Sequence, residues 1–220
     1  MLDTEHFFDF GTAFVFSASP ELFFTWDGRT IHLRPMKGTA PRGRFAEEDA
    51  KRGAELLASE KDRLELFQTA SNIVEELRPV VDGSVRIGSP VLEAYPTVWQ
   101  LTLPIEAETR NGINLPELFR TLYPPTSIAG VPKRAALRWI ERLEGTPRGL
   151  YTGVIGIIDS RKAQFSVAIR TAVVDNPNSR LIFGTGSGVT LHSDAKREYQ
   201  EAILKAAILL PPTQDAPGTF

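Results

Sequence analysis

Short apolar runs broken by turn residues dominate the first forty positions. Residues 12–19 (TAFVFSAS), 22–26 (LFFTW) and 30–36 (TIHLRPM) are rich in aromatic and β-branched side chains, which predicts strands. Asp27-Gly28 between the second and third runs predicts a hairpin turn. From Ala46 to about Leu77 the period lengthens to that of a helix. There "EEDAKRGAELLASE" is followed by an apolar stripe at Leu64, Phe67, Ala70, Ser71, Val74 and Leu77, so one or two helices are expected to pack on the preceding sheet. Strand character returns in "GSVRIG" (83–88) and "PTVWQLTLPIEAET" (96–109), and Asn111-Gly112 closes that run. "LPELFRTLY" (115–123) and "PKRAALRWIERLEG" (132–145) predict helices, the second with Pro132 just inside its start and Gly145 just past its end. "LYTGVIGIID", "AQFSVAIRTAVV" and "SRLIFGTGSGVT" predict three consecutive strands, and a last helix is expected from Ala195 to Leu210. Strands in runs rather than in strict alternation with helices give an α+β class. One domain over 1–210 and a Pro-rich tail over 211–220 are expected, with no internal repeat.

Composition narrows the function classes. The chain has 220 residues, 42% of them hydrophobic, enough for a sizeable core. Its 25 basic residues against 27 acidic ones give a net charge of -2 and a pI near 6.0. Such a balance provides no broad cationic surface, so neither nucleic acid nor an anionic membrane is an expected partner. The absence of cysteine excludes disulfides and thiolate chemistry and fits a reducing cytoplasm. His6, His32 and His192 show no metal-ligand spacing. The N-terminus carries acidic residues where a signal peptide has basic ones, and no apolar run approaches the roughly 20 residues of a membrane span.

A few positions carry candidate chemistry. Glu198, Glu201 and Lys205 fall at i, i+3 and i+7 of the last predicted helix, one charged face whose ordinary reading is solvation. Glu65 in "SEKDRLELF" has the same ordinary reading, and Glu21 after Ser19-Pro20 that of a turn or cap residue. "GTGSG" (184–188) lets backbone N–H groups approach a small anion, but it lacks the phosphate-loop ending. Lys37 sits at the mouth of the strand ending at Arg34, usually the place of a solvated charge.

Eight blocks, in order, resemble those of the chorismate-utilising enzyme family, which includes anthranilate, isochorismate, salicylate and aminodeoxychorismate synthases. They are "SASPE" (17–21), "RPMKGTAPR" (34–42), "SEKDRLE" (59–65), "SIAGVPKRAA" (127–136), "RGLYTGVIG" (148–156), "AIRT" (168–171), "GSGV" (186–189) and "SDAKREYQEAILK" (193–205). The resemblance implies an α/β sandwich of antiparallel sheet layers flanked by helices. It further implies that Glu65, Glu198 and Glu201 hold Mg²⁺, whose hardness suits carboxylate oxygens. Tyr151, Arg170 and Lys205, with backbone groups at Gly130, Gly186 and Gly188, match positions that grip the substrate carboxylates.

Within the family, the Pro-x-Lys-Gly-Thr block resembles the aminodeoxychorismate branch, where anthranilate synthases carry a small residue in place of the lysine. The resemblance implies Lys37 as nucleophile at C2 of chorismate and Glu21 as the acid at the departing C4 hydroxyl. An amine in that role has to be partly uncharged near neutral pH, a form favoured by burial or a neighbouring cation. Ammonia would then enter C4, supplied by a glutamine amidotransferase subunit or from solution. Isochorismate-type or anthranilate-type chemistry, or a non-catalytic truncated homologue, are the alternatives. Three departures bear on the choice. "SNIVEEL" (71–77) replaces the family's Asp-Leu-x-Arg-Asn-Asp-Leu, Gln100 stands where many members have histidine, and Ala129 replaces Ser or Thr. Family members are about twice as long, which implies that an N-terminal part of the fold is missing. A homodimer through an exposed sheet edge is one arrangement this leaves open.

Overall fold

The computed structural model describes residues 5–191, 193–206 and 208; His192 and the expected tail at 211–220 lie outside them. In chain order the elements are β1 (Glu5–Asp9), β2 (Ala13–Ala18), β3 (Leu22–Trp26), β4 (Thr30–Arg34), β5 (Met36–Pro41), α1 (Ala46–Ala58) and α2 (Glu60–Leu77). Then come β6 (Arg86–Ile87), β7 (Val91–Ala94), β8 (Val98–Thr102), β9 (Ile105–Glu108), α3 (Leu115–Leu122), α4 (Thr126–Ala129) and α5 (Lys133–Glu144). The last are β10 (Val154–Ile158), β11 (Ala163–Val167), β12 (Thr171–Asp175), β13 (Arg180–Phe183) and α6 (Ala195–Ala206).

The chain forms two compact units, and among the described residues every strand pairing is antiparallel. The larger unit, residues 21–147 and 154–167, holds a six-stranded sheet in the order β10-β11-β3-β4-β9-β6 and a three-stranded sheet β5-β8-β7. Its β3–β4 hairpin turns where expected: Gly28 has φ +93°, and the Asp27 carboxylate accepts the N–H groups of Arg29 and Thr30 at 2.9 and 2.6 Å. On the core side Phe24, Phe119 and Phe165 pack with ring centroids 4.9 to 5.6 Å apart, bringing α3 onto the sheet. A reciprocal capping box starts α3: the Asn114 side chain accepts the Glu117 N–H and the Glu117 carboxylate accepts the Asn114 N–H.

Two expectations shift. α2 buries Leu66, Thr69, Ala70, Ile73 and Leu77, whereas Leu64, Phe67 and Ser71 are exposed. The expected and observed stripes share Ala70 and Leu77, and packing against β5, β8 and α3 selects the second face. α5 begins at Lys133, with Pro132 as its N-cap residue, and ends on Gly145 at φ +65° as expected.

The smaller unit, residues 1–20, 148–153 and 168–220, is built on a four-stranded sheet β1-β2-β12-β13. Ser17 on β2 and Thr171 on β12 are buried and share a 2.8 Å hydroxyl–hydroxyl hydrogen bond. The run "AQFSVAIRTAVV" is not one strand: it divides into β11 and β12, which belong to different sheets. Arg170 at φ +49° turns the backbone between them. Among the described residues no helix is long and apolar enough to cross a membrane.

Candidate functional site

The expected site residues divide between the units: Glu21, Lys37, Glu65 and Gly130 belong to the larger, and Tyr151, Arg170, Gly186, Gly188, Glu198, Glu201 and Lys205 to the smaller.

In the larger unit, the ladder of β5 with β8 slips by one residue at the lysine. Met36 pairs with Thr102 and Thr39 with Gln100, so Lys37 and Gly38 together face Leu101. This is a β-bulge, a device that re-aims a side chain out of the regular alternation. Gly38 has φ +84°, and a Cβ there would stand 2.9 Å from the Asp62 side chain, so the backbone of the bulge lies against the first turn of α2. Glu65 follows Asp62 by three residues on the same face of α2 and is half-buried. Gln100, at the position where many family members have histidine, is buried and donates to the Thr39 hydroxyl at 3.1 Å.

The chain just beyond β5 is pinned. The Arg42 guanidinium donates to both oxygens of Asp49 at 2.7 and 2.5 Å and stands 4.6 Å from the centroid of the Trp99 ring. Gly43 N–H and Trp99 Nε1 donate to the same Asp49 carboxylate at 2.8 and 2.9 Å. These donors, Arg42 foremost and then the Gly43 N–H, hold the Asp49 carboxyl well below the usual carboxylate range.

Glu21 is buried at the start of β3, where its carbonyl accepts the Val167 N–H at 3.0 Å. It lines a pocket together with Glu76, Thr126, Ser127, Leu33 and Pro35, the last of these preceding β5. Gly130 caps α4 at φ +82° and gives its N–H to the Thr126 carbonyl at 3.0 Å, so the backbone group it can offer a ligand is its carbonyl. Sequence reasoning did not assign a role to Glu76, Thr126 or Ser127. The available signal was the heptapeptide 71–77, in which Glu76 occupies the place of the family's last aspartate.

In the smaller unit the "GTGSG" segment is a close-approach site for a side chain. A Cβ on Gly184 would overlap the Tyr151 ring, and one on Gly186 would stand 2.8 Å from the Tyr151 hydroxyl. The Lys205 ammonium donates to the Gly186 carbonyl at 3.1 Å and pairs with Glu201 at 2.7 Å. Thr185 adds a hydroxyl bond to the Ala202 carbonyl at 2.8 Å, tying the segment to α6. Tyr151, Gly186, Lys205 and Glu201 are thereby brought together. Glu198 lies one turn before Glu201 on α6, Arg170 occupies the turn before β12, and Gly188 is exposed at the end of the glycine segment. Among the described residues no three His, Asp or Glu side chains form a ready-made metal cluster.

Comparison with known proteins places this geometry in a family. The model of the chorismate binding enzyme family matches residues 4–211. An aminodeoxychorismate synthase of Streptomyces griseus is 37% identical over 209 residues, which cover 93% of this chain and 28% of that protein. The solved structure of the menaquinone-specific isochorismate synthase of Escherichia coli superposes with a TM-score of 0.83 at 23% identity, covering 90% of this chain and 46% of that one. That of anthranilate synthase component I from Streptococcus pneumoniae gives 0.81 at 27% identity, covering 92% and 45%. The chain thus spans less than half the length of each of these three proteins. With a family match over nearly its whole length and the mixed helix and antiparallel-sheet fold of chorismate-utilising enzymes, the chain belongs to the chorismate binding enzyme family.

Proposed function

We propose that this chain binds chorismate and converts it, with ammonia, to 4-amino-4-deoxychorismate and water. The observation that carries the reading is Lys37, the lysine of a Pro-x-Lys-Gly-Thr block, set on a bulge that lifts it out of the regular strand alternation. The name of the Streptomyces griseus relative supports the same branch.

In this reading the Lys37 amine attacks C2 of chorismate, the ring double bonds shift, and the C4 hydroxyl leaves as water with a proton from Glu21. Glu21 is buried in a pocket walled largely by apolar residues, and in this reading its carboxyl is the proton donor. Ammonia then bonds to C4, the double bonds shift back, and Lys37 departs from C2. Tyr151, Arg170 and Lys205, with Gly186 and Gly188, would hold the substrate carboxylates; Gly130, whose N–H is already given to Thr126, would take part only through its carbonyl, as an acceptor. The carboxylates of Glu65, Glu198 and Glu201 are a hard oxygen donor set of the kind Mg²⁺ prefers and would be its ligands. Bound Mg²⁺ would anchor the ring carboxylate of chorismate. A glutamine amidotransferase subunit would supply the ammonia.

The test is turnover of chorismate with Mg²⁺ and ammonium, products being separated by chromatography and identified by mass. Aminodeoxychorismate made by the wild-type chain and lost in Lys37→Ala, with chorismate binding retained, is the expected result. Amination that persists in Lys37→Ala sinks the nucleophile assignment. The kinship with anthranilate synthase component I favours anthranilate formation as a second reading; anthranilate as the product would establish it in place of the first.

A further inference from the structure

We propose that Glu76 is a positioning residue that clamps the Thr126–Gly130 turn onto the wall of the Glu21 pocket. As a role in the reaction it rests on the reading under Proposed function; as a mechanical clamp it stands on geometry alone. The Thr126 hydroxyl, on a buried residue, lies 2.8 Å from both oxygens of the Glu76 carboxylate. The Lys133 ammonium pairs with Glu76 Oε1 at 2.8 Å and also donates to the Leu122 carbonyl at 3.3 Å. One carboxylate at the end of α2 therefore holds the first residue of α4, the first residue of α5 and, through Lys133, the end of α3. Between the first two lie Ser127, which lines the pocket, and Gly130, whose backbone the proposed reaction uses.

The placement of Glu76 runs against the local preference of its own helix. It is in the last turn of α2, where the helix dipole is negative and basic residues are favoured, and that turn contains no basic residue. An acid there violates the rule for α2 alone and makes sense only through the cation and hydroxyl that other segments bring to it. Its neighbour Glu75 has a local partner in Arg78, three residues on, whereas both partners of Glu76 are 50 or more positions away in sequence. The Lys133 ammonium is the countercharge of this second carboxylate of the pocket wall.

The experiment combines amide hydrogen exchange with steady-state kinetics on Glu76→Gln, on Thr126→Val, and on the swap Glu76→Lys with Lys133→Glu. The N–H groups of Ile128, Ala129 and Gly130 are bonded to the carbonyls of Pro125, Pro125 and Thr126, so their exchange reports opening of the turn. Glu76→Gln is expected to speed exchange at these three about tenfold while leaving that of Leu66 and Ala70 in α2 unchanged, and the charge swap is expected to restore much of the protection. The turnover number should fall about tenfold in Glu76→Gln with less than threefold change in KM. Unchanged exchange at 128–130, or an increase spread evenly over α2, overturns the clamp. Clamp-specific exchange with unaltered kinetics overturns its role in the reaction. Absence of turnover in the wild-type chain would instead remove the reading under Proposed function, and exchange would still decide the clamp.

Discussion

Gly38→Ala isolates the contact on which the placement of Lys37 depends. At φ +84° an alanine is held in the left-handed region, which costs about 1–2 kcal/mol for a residue with a Cβ. The new methyl would also stand 2.9 Å from the Cβ and Oδ1 of Asp62, inside normal contact distance, and overpacking of that kind costs about 1–3 kcal/mol. The sum is roughly 2–5 kcal/mol. Gly28→Ala is the matched control: it has φ +93° in the same unit, and a Cβ there meets nothing within 4 Å, so it should show only the backbone cost. Urea unfolding of both variants, with midpoints and slopes compared against wild type, gives the clash by difference. Relief of the clash by sliding β5 away from α2 would move Lys37 as well. Chorismate turnover by Gly38→Ala at a temperature where it is fully folded should therefore fall, and that by Gly28→Ala should not. Equal loss of stability in the two variants would refute the close seating of the bulge on α2.

Two other perturbations test neighbouring features. The Asp49 carboxyl is held below the usual carboxylate range in the folded chain, so its contribution to stability is complete above its unfolded value near pH 4 and is lost as pH falls through the folded one. Asp49→Asn should accordingly flatten the dependence of Tm on pH below about 4, read by thermal melts in buffers from pH 2 to 7; an acid limb identical to wild type would count against the Arg42–Asp49 lock. Glu201→Gln removes one oxygen ligand proposed for Mg²⁺ and the partner of Lys205, and calorimetric titration should show Mg²⁺ affinity reduced at least tenfold. Wild-type affinity in that variant would exclude Glu201 from the ligand set.

Legibility in the sequence followed the reach of the forces involved. β2, β3 and β4 could be read because their aromatic and β-branched runs and the Asp27-Gly28 turn are local signals. The two ends of α3 and the Gly145 stop of α5 were legible for the same reason. The buried face of α2 was not, since Leu64 and Phe67 make as good a stripe as Leu66 and Ile73 until β5, β8 and α3 choose between them. The division of "AQFSVAIRTAVV" rests on one backbone turn at Arg170 that a periodicity of two cannot register. β1 and β7 are short and carry acidic residues, and neither was read as a strand. For the site, Lys37 was picked out by its block, but the bulge that explains its placement is a property of the β5–β8 pairing. Glu76 was visible only as a departure from a motif, because both of its partners lie in distant segments.

The pairing of β2 with β12 has a consequence for the order of events on the ribosome. Ser17 and Thr171 are 154 positions apart, so at synthesis rates of about 5–20 residues per second β2 waits on the order of 10–30 s for its partner. Through that interval the β1–β2 hairpin has an open edge and displays Phe7 and Phe16, side chains that remain more than 45% exposed even after folding. Residues 21–147 emerge meanwhile as one continuous length and can begin to collapse around Phe24 and Phe119, two of the three rings of their core cluster. The β1–β2 hairpin is thus a stretch of this chain that a chaperone would protect, and slowed translation between the codons for β2 and β12 should lower the soluble yield.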